Sequence, residues 1–214
     1  RAAVRRDLLG ATAAGGSAQV REAVALLDSL FAPLTPEEEL AVARATGEAG
    51  LAARAVAGYA RAFEAGLGNA EDRFDHASAL ARLGRHGEAA FQFNLVRKPA
   101  SLAASAAYLR ARSLVRDGQL SEGRSALLDI GKRHSRDTSA ASSALFLLGD
   151  LAADDRADRL ARTYYRRAAL RYPTSRFAPA ARFRAAMVEL LTGDAGMRAR
   201  EFDELARRYP RSDE

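Results

Sequence analysis

Residues 159–188 hold eight arginines and no aspartate or glutamate: Arg159, Arg162, Arg166, Arg167, Arg171, Arg176, Arg182 and Arg184. If this stretch is helical, Arg159, Arg162 and Arg166 stand at i, i+3 and i+7 and share one face. A guanidinium is planar, always charged and pairs with carboxylates and phosphates through two parallel hydrogen bonds, so such a stripe suits an anionic ligand. The competing reading is a solvated outer face in an arginine-rich chain.

Other reactive side chains give weaker patterns. Acid-catalysed bond cleavage needs a carboxylic acid positioned in a cleft, and Glu37 to Glu39, Glu48, Glu64 and Glu88 fall instead at helix starts or on faces expected to be solvated. The three histidines, His76, His86 and His134, have no HExxH or paired metal spacing and read as surface residues. Asp150, Asp154 and Asp158 would share a face if one helix ran through them, but they lack the glycine and terminal glutamate of a calcium loop and read as an inter-helix turn. The segment GATAAGGS has no Lys-Ser/Thr and no preceding strand, so it reads as a turn from Gly10 to Ser17 rather than a phosphate loop. No cofactor is implied and no metal ligands are assigned.

The elements that would position these residues are repeated. Arg-Tyr-Pro-x-Ser occurs at 171–175 and again at 208–212. The run from Ala77 to Phe93 reads as helix, turn at Gly84 to Gly87, and helix. Carrying that frame along the chain gives a small column of Ala11, Ala43, Ala77, Ala111, Gly149 and Ala186, at spacings of 32, 34, 34, 38 and 37. A large column has the same spacings: Leu27, Tyr59, Phe93, Leu127, Tyr165 and Phe202. Three residues before each small position stands Leu8, Leu40, Phe74, Tyr108, Phe146 or Phe183. Paired helices of this length cannot bury their apolar stripe alone, so each pair stacks on the next, with small residues at close approaches and large ones filling gaps. Thr35-Pro36-Glu37-Glu38 predicts a capped helix start near 36, and Ser175 predicts another start, of a helix running to about Leu191 and stopped by Thr192-Gly193-Asp194. Asp154 to Asp158 reads as a turn, no alternating strand pattern is present, and residues 1–214 read as a single helical array.

Composition is consistent with this. Hydrophobic residues make up 48% of 214, with six prolines, which places the chain among folded proteins. No apolar run reaches the length of a transmembrane segment, and the start, RAAVRRDLLG, has no secretory signal. Beginning at Arg1, the chain reads as a processed product or an excised segment. Without cysteine it has neither disulfides nor thiolate metal sites, which fits either redox compartment. Lys98 and Lys132 are the only lysines among 33 basic residues, and the net charge of +6 favours acidic partners.

The pattern from Ala77 to Phe93 resembles the tetratricopeptide repeat. In the C-terminal part, Ala144 to Leu151, Ala161-Arg162-x-x-Tyr165, the two RYPxS stretches, Ala185-Ala186, Gly193-Asp194 and Phe202-x-x-Leu205 resemble the superhelical N-terminal region of bacterial soluble lytic transglycosylases, over about 107–212. That resemblance implies an all-α, right-handed α-solenoid of about six stacked helix–turn–helix repeats, a periplasmic location, and a non-catalytic role presenting peptidoglycan or binding envelope proteins. The family's catalytic domain is a separate lysozyme-like one. Neither Glu-Ser nor Gly-Leu-Met-Gln of its motif occurs here, so no catalytic residue transfers. The YPxS punctuation is also similar to that of repeat proteins of outer-membrane assembly and the Tol–Pal system, which implies the alternative of a stand-alone envelope scaffold.

Repeat phase then nominates contacts. The residues after the small column are Thr12, Arg44, Ser78, Arg112, Asp150 and Met187. They lack the asparagine of the carboxylate clamp in chaperone-binding tetratricopeptide domains. Arg44 and Arg112, with Arg82 and Arg116 a turn further on, are placed toward the expected concave surface as contacts for an anionic or sugar-peptide ligand. Aromatic residues interleave poorly with the arginines, which argues against a nucleic-acid partner.

Overall fold

A computed structural model describes residues 1–192 and 195–210. It contains, among these residues, twelve α-helices and no strand: α1 (Ala2–Ala14), α2 (Ser17–Leu30), α3 (Pro36–Glu48), α4 (Ala52–Glu64), α5 (Ala70–Arg82), α6 (His86–Leu95), α7 (Ala100–Arg116), α8 (Leu120–Arg133), α9 (Thr138–Asp154), α10 (Asp158–Arg171), α11 (Ala178–Thr192) and α12 (Ala195–Arg208). The chain forms two compact units, Arg1–Gly118 and Gln119–Glu214. None of these helices is long and apolar enough to cross a membrane.

The small column falls on the odd-numbered helices and the large column on the even-numbered ones, without exception. Their environments match as well. Ala43, Ala77, Ala111, Gly149 and Ala186 are buried, while Ala11, in the first helix, is half-buried. Leu27, Tyr59, Phe93, Leu127 and Tyr165 are buried and Phe202 is half-buried. All six members of the third column are half-buried. Three hairpins repeat one aromatic contact between that column and the large one: Phe74 on Phe93 at 5.4 Å, Phe146 on Tyr165 at 5.6 Å and Phe183 on Phe202 at 6.1 Å between ring centroids. The reason for a small residue beside the large one is clearest at Gly149, where a Cβ would lie 2.5 Å from the Tyr165 ring.

Helix ends obey local chemistry where the chain supplies it. At α3 the Glu38 backbone N–H donates to Thr35 Oγ1 (3.3 Å) and the Thr35 N–H donates to Glu38 Oε2 (2.8 Å), the reciprocal cap expected from the sequence. Asn69 and Asp72 cap α5 in the same way, at 3.0 and 2.8 Å.

Some expected boundaries shift. Gly10 lies inside α1, and the turn shrinks to Gly15 and Gly16. Ser175 does not cap α11, which begins three residues later at Ala178; its buried hydroxyl has no hydrogen-bond partner, and its carbonyl accepts from the Ala178 N–H instead. Gly193 and Asp194 of the expected stop lie outside the described residues.

The repeated Arg-Tyr-Pro acquires a packing role. The Tyr172 hydroxyl donates to the Ser135 carbonyl (2.9 Å) and the Tyr209 hydroxyl donates to the Pro173 carbonyl (2.9 Å). Each tyrosine thus ties the end of its second helix to the equivalent junction one repeat earlier. Arg211 and Ser212 of the second copy lie outside the described residues.

Candidate functional site

In unit 1 the first helices α3, α5 and α7 pack in succession, α3 on α5 and α5 on α7. These three helices carry the four arginines nominated from repeat phase: Arg44 on α3, Arg82 on α5, and Arg112 and Arg116 on α7. Arg44 is committed internally: Nε donates to Asp72 Oδ1 (2.7 Å) and Nη2 to Asp72 Oδ2 (2.9 Å). Burial pushes the Asp72 carboxyl up, but the Arg44 hydrogen bonds, the Asn69 N–H and the Arg44 charge together hold it below its ordinary value. Arg82 donates from Nη1 to the Gly47 carbonyl (3.1 Å) in the last turn of α3, where the helix dipole favours a cation. Arg112 lies over the Tyr108 ring, 5.8 Å from its centroid. Arg116 is exposed at the end of α7, and neither it nor Arg112 has a carboxylate partner among the described residues.

Helix α5 also carries acidic residues that repeat phase did not nominate, Asp72 and Asp75. Asp75, exposed on α5, has its carboxyl pushed up by desolvation and then by the neighbouring Asp72 charge. Tyr59 is fully buried with no hydrogen-bond partner for its hydroxyl, and burial, then the Asp75 and Asp72 charges, push its ionisation upward. Acidic and basic side chains thus both occur on α5, with Asp72 paired to Arg44 of α3. The Asn69-x-x-Asp72 spacing, the same capping pattern as Thr35-x-x-Glu38, was the available signal for Asp72.

In unit 2 the arginine stripe resolves into residues with different duties. Arg159 is exposed near the start of α10 and Arg166 is half-buried. Arg162 pairs through Nη1 with Glu189 of α11, whose side chain is fully buried. Glu189 stands one residue beyond the acid-free window, so the run of charge was cut just short of its counter-ion. Breaking such a buried pair is costly because it strands a charge, and Arg162 is accordingly a packing residue.

Two surface assignments are corrected. His76 is only 6% exposed, wedged between Tyr59 (5.8 Å) and Phe63 (5.4 Å); burial, and then the Arg85 charge, lower its pKa to about 4. Glu39 is 2% exposed. It accepts from Arg54 Nη1 (2.7 Å) and from Arg61, while Arg54 also donates to Asp28 (2.9 Å). The three aspartates near 154 do separate across a turn: Asp150 and Asp154 end α9, and Asp158 opens α10. Asp150 accepts from the Tyr165 hydroxyl (2.7 Å). Among the described residues no group of three His, Asp or Glu is placed to hold a metal ion.

No protein-family model and no curated protein matches the sequence. Solved structures do match in fold. MamA 41-end from Desulfovibrio magneticus RS-1 is 16% identical with a TM-score of 0.62, over 84% of this chain and 97% of that one. The MamA RS-1 ArsTM double mutant is 16% identical with a TM-score of 0.64, over 83% and 96%. The apo form of RapI is 13% identical with a TM-score of 0.69, over 92% of this chain and 61% of that one. At these identities the likeness is one of fold, and the chain shares with these proteins an all-α, tetratricopeptide-like array of helical hairpins.

Proposed function

We propose that this chain is a non-catalytic repeat scaffold that binds protein partners through the first-helix face of unit 1. The observation that carries the reading is the set of charges on α3, α5 and α7: Arg44 is paired with Asp72, whereas Asp75 is exposed on α5 and Arg112 and Arg116 on α7 are not matched by a carboxylate among the described residues. A polypeptide carrying carboxylates can meet the arginines of α7, and packing of the first helices on one another lowers the ordering cost of binding. A peptide array probed with the purified chain tests this. Peptides carrying carboxylates should bind, and Arg112→Glu with Arg116→Glu should weaken them at least tenfold. An array without binders, or binders indifferent to the double variant, would refute the reading.

The finer form of the proposal sets the chain in the bacterial periplasm, as the repeat region of a peptidoglycan lytic transglycosylase or as a stand-alone envelope scaffold. Its support is the resemblance over 107–212 and the exposed Arg159 and Arg167 on α10, which suit the carboxylates of peptidoglycan stem peptides. Cosedimentation with purified peptidoglycan at low and high salt reads this separately. Retention at low salt that is lost on Arg159→Glu with Arg167→Glu supports it; no retention at any salt would sink it.

A further inference from the structure

Unit 2 has a second surface that the first-helix face does not explain. Helices α8 and α10 form the walls of a groove floored by α9. Ala141, Ala144 and Leu148 on the floor are buried, and Leu128 stands exposed on the α8 wall. The cavity measures about 210 Å³, below the roughly 300–1,000 Å³ of small-molecule sites, and is the size for one bulky side chain. Tyr172, whose hydroxyl donates to the Ser135 carbonyl, also lines it.

The rim is basic. Lys132 stands on one wall and Arg167 and Arg171 on the other. Lys132 has Asp129 at 3.8 Å, a loose exposed pair, and Arg171 lies 5.9 Å from the Tyr172 ring centroid. Among the described residues neither Arg167 nor Arg171 has a carboxylate partner. Leu160, also exposed, shares a face of α10 with Tyr164, Arg167 and Arg171 at i, i+4, i+7 and i+11, so the apolar strip continues along the wall.

Gly131 supplies an independent sign that this wall is kept low. It lies inside α8, where glycine is disfavoured by about 1 kcal/mol relative to alanine, yet a Cβ there would meet nothing within 4 Å. Internal packing does not require the missing side chain, which opens onto the groove.

We infer that this groove docks a short segment of a partner protein, one bulky apolar side chain seated on α9 with flanking carboxylates on Lys132, Arg167 and Arg171. Charge complementarity around an apolar floor selects the occupant: a basic segment would be repelled, and a purely acidic one would leave the pocket unfilled. This site is separate from the first-helix face of unit 1.

The test is fluorescence anisotropy of the full chain with a labelled nine-residue peptide, central phenylalanine, two acidic residues on each side, in a glycine-serine frame. Two controls replace the phenylalanine by alanine and the acids by lysine. The phenylalanine peptide should bind, at least tenfold tighter than the alanine control, and the lysine control should not bind. Gly131→Leu should fill the groove and weaken binding at least tenfold, whereas Gly131→Ala should bind within twofold of the native chain and melt no lower. Arg167→Glu with Arg171→Glu should also weaken binding at least tenfold, and it serves if Gly131→Leu fails to fold. Arg112→Glu with Arg116→Glu should leave this binding intact, so the two surfaces fail or succeed separately. Absent binding, equal binding of the phenylalanine and alanine peptides, or binding indifferent to Gly131→Leu in a folded protein would overturn the assignment.

Discussion

A proton on His76 has to enter a space lined by Tyr59 and Phe63, with Arg85 and Arg73 nearby and only Glu88 to offset them. The folded pKa of about 4 lies below the ordinary value of 6.5, so between these values the unfolded chain binds more protons and stability falls as pH falls. The loss begins near pH 6.5 and is complete below about 4; across that window it amounts to on the order of 3 kcal/mol. Urea midpoints at pH 7 and 4.5 should differ markedly in the native chain and much less in His76→Leu; equal shifts in both would refute this account. Glu39 makes a complementary case. Removing it by Glu39→Ala leaves Arg54, 15% exposed, with Asp28 alone. A loss of about 3 kcal/mol is expected in urea unfolding at neutral pH, and a change below ~1 kcal/mol would show that Asp28 compensates.

Between elements, first helices are latched by their caps. Glu38, the capping acid of α3, pairs with Arg5 of α1, and Asp72, the capping acid of α5, pairs with Arg44 of α3. One carboxylate therefore holds a helix N-terminus and the preceding first helix together. Asp72→Ala should cost about 1–2 kcal/mol, combining a lost cap of about 1 with a solvent-screened pair to Arg44, whose side chain is 52% exposed, while Asp72→Asn should recover the capping part. Identical losses for the two variants would show that the cap contributes nothing. Within a hairpin, the small column sets the spacing. Gly149→Ala drives a methyl into a Tyr165 ring whose hydroxyl is tied to Asp150, and overpacking of this kind costs about 1–3 kcal/mol. Thermal unfolding should show it, and an unchanged midpoint would mean the hairpin opens freely.

At the scale of the molecule, the unit Arg1–Gly118 has apolar clusters of its own. One gathers Val20, Val24, Leu27 and Val42, the other Tyr59, Leu80, Phe93 and Ala106. Local cores of this kind make repeat stability a sum over neighbours. A fragment ending at Gly118 should therefore unfold cooperatively in urea by circular dichroism; a fragment with no transition would show that its stability depends on residues 119–214.

The repeat was legible because it is written in residue size. A small residue where helices cross and a large one between them recur at fixed phase, and both demands are met within a hairpin, so the sequence by itself determined the repeated hairpins and the cap formed by Thr35 and Glu38, but not the start of α11 or the extent of α1. Tertiary structure alone decided which arginines find a buried counter-ion. Arg44 and Arg162 look alike in the sequence to Arg112 and Arg167, but their counter-ions, Asp72 and Glu189, lie 28 and 27 residues away on other helices. The burial of His76 and Glu39, and the groove bounded by Gly131 and Arg167, arise in the same way. Helical periodicity is a local property, whereas the fate of a charge depends on which side chains the packing brings within hydrogen-bond reach, and no spacing along the chain records that distance.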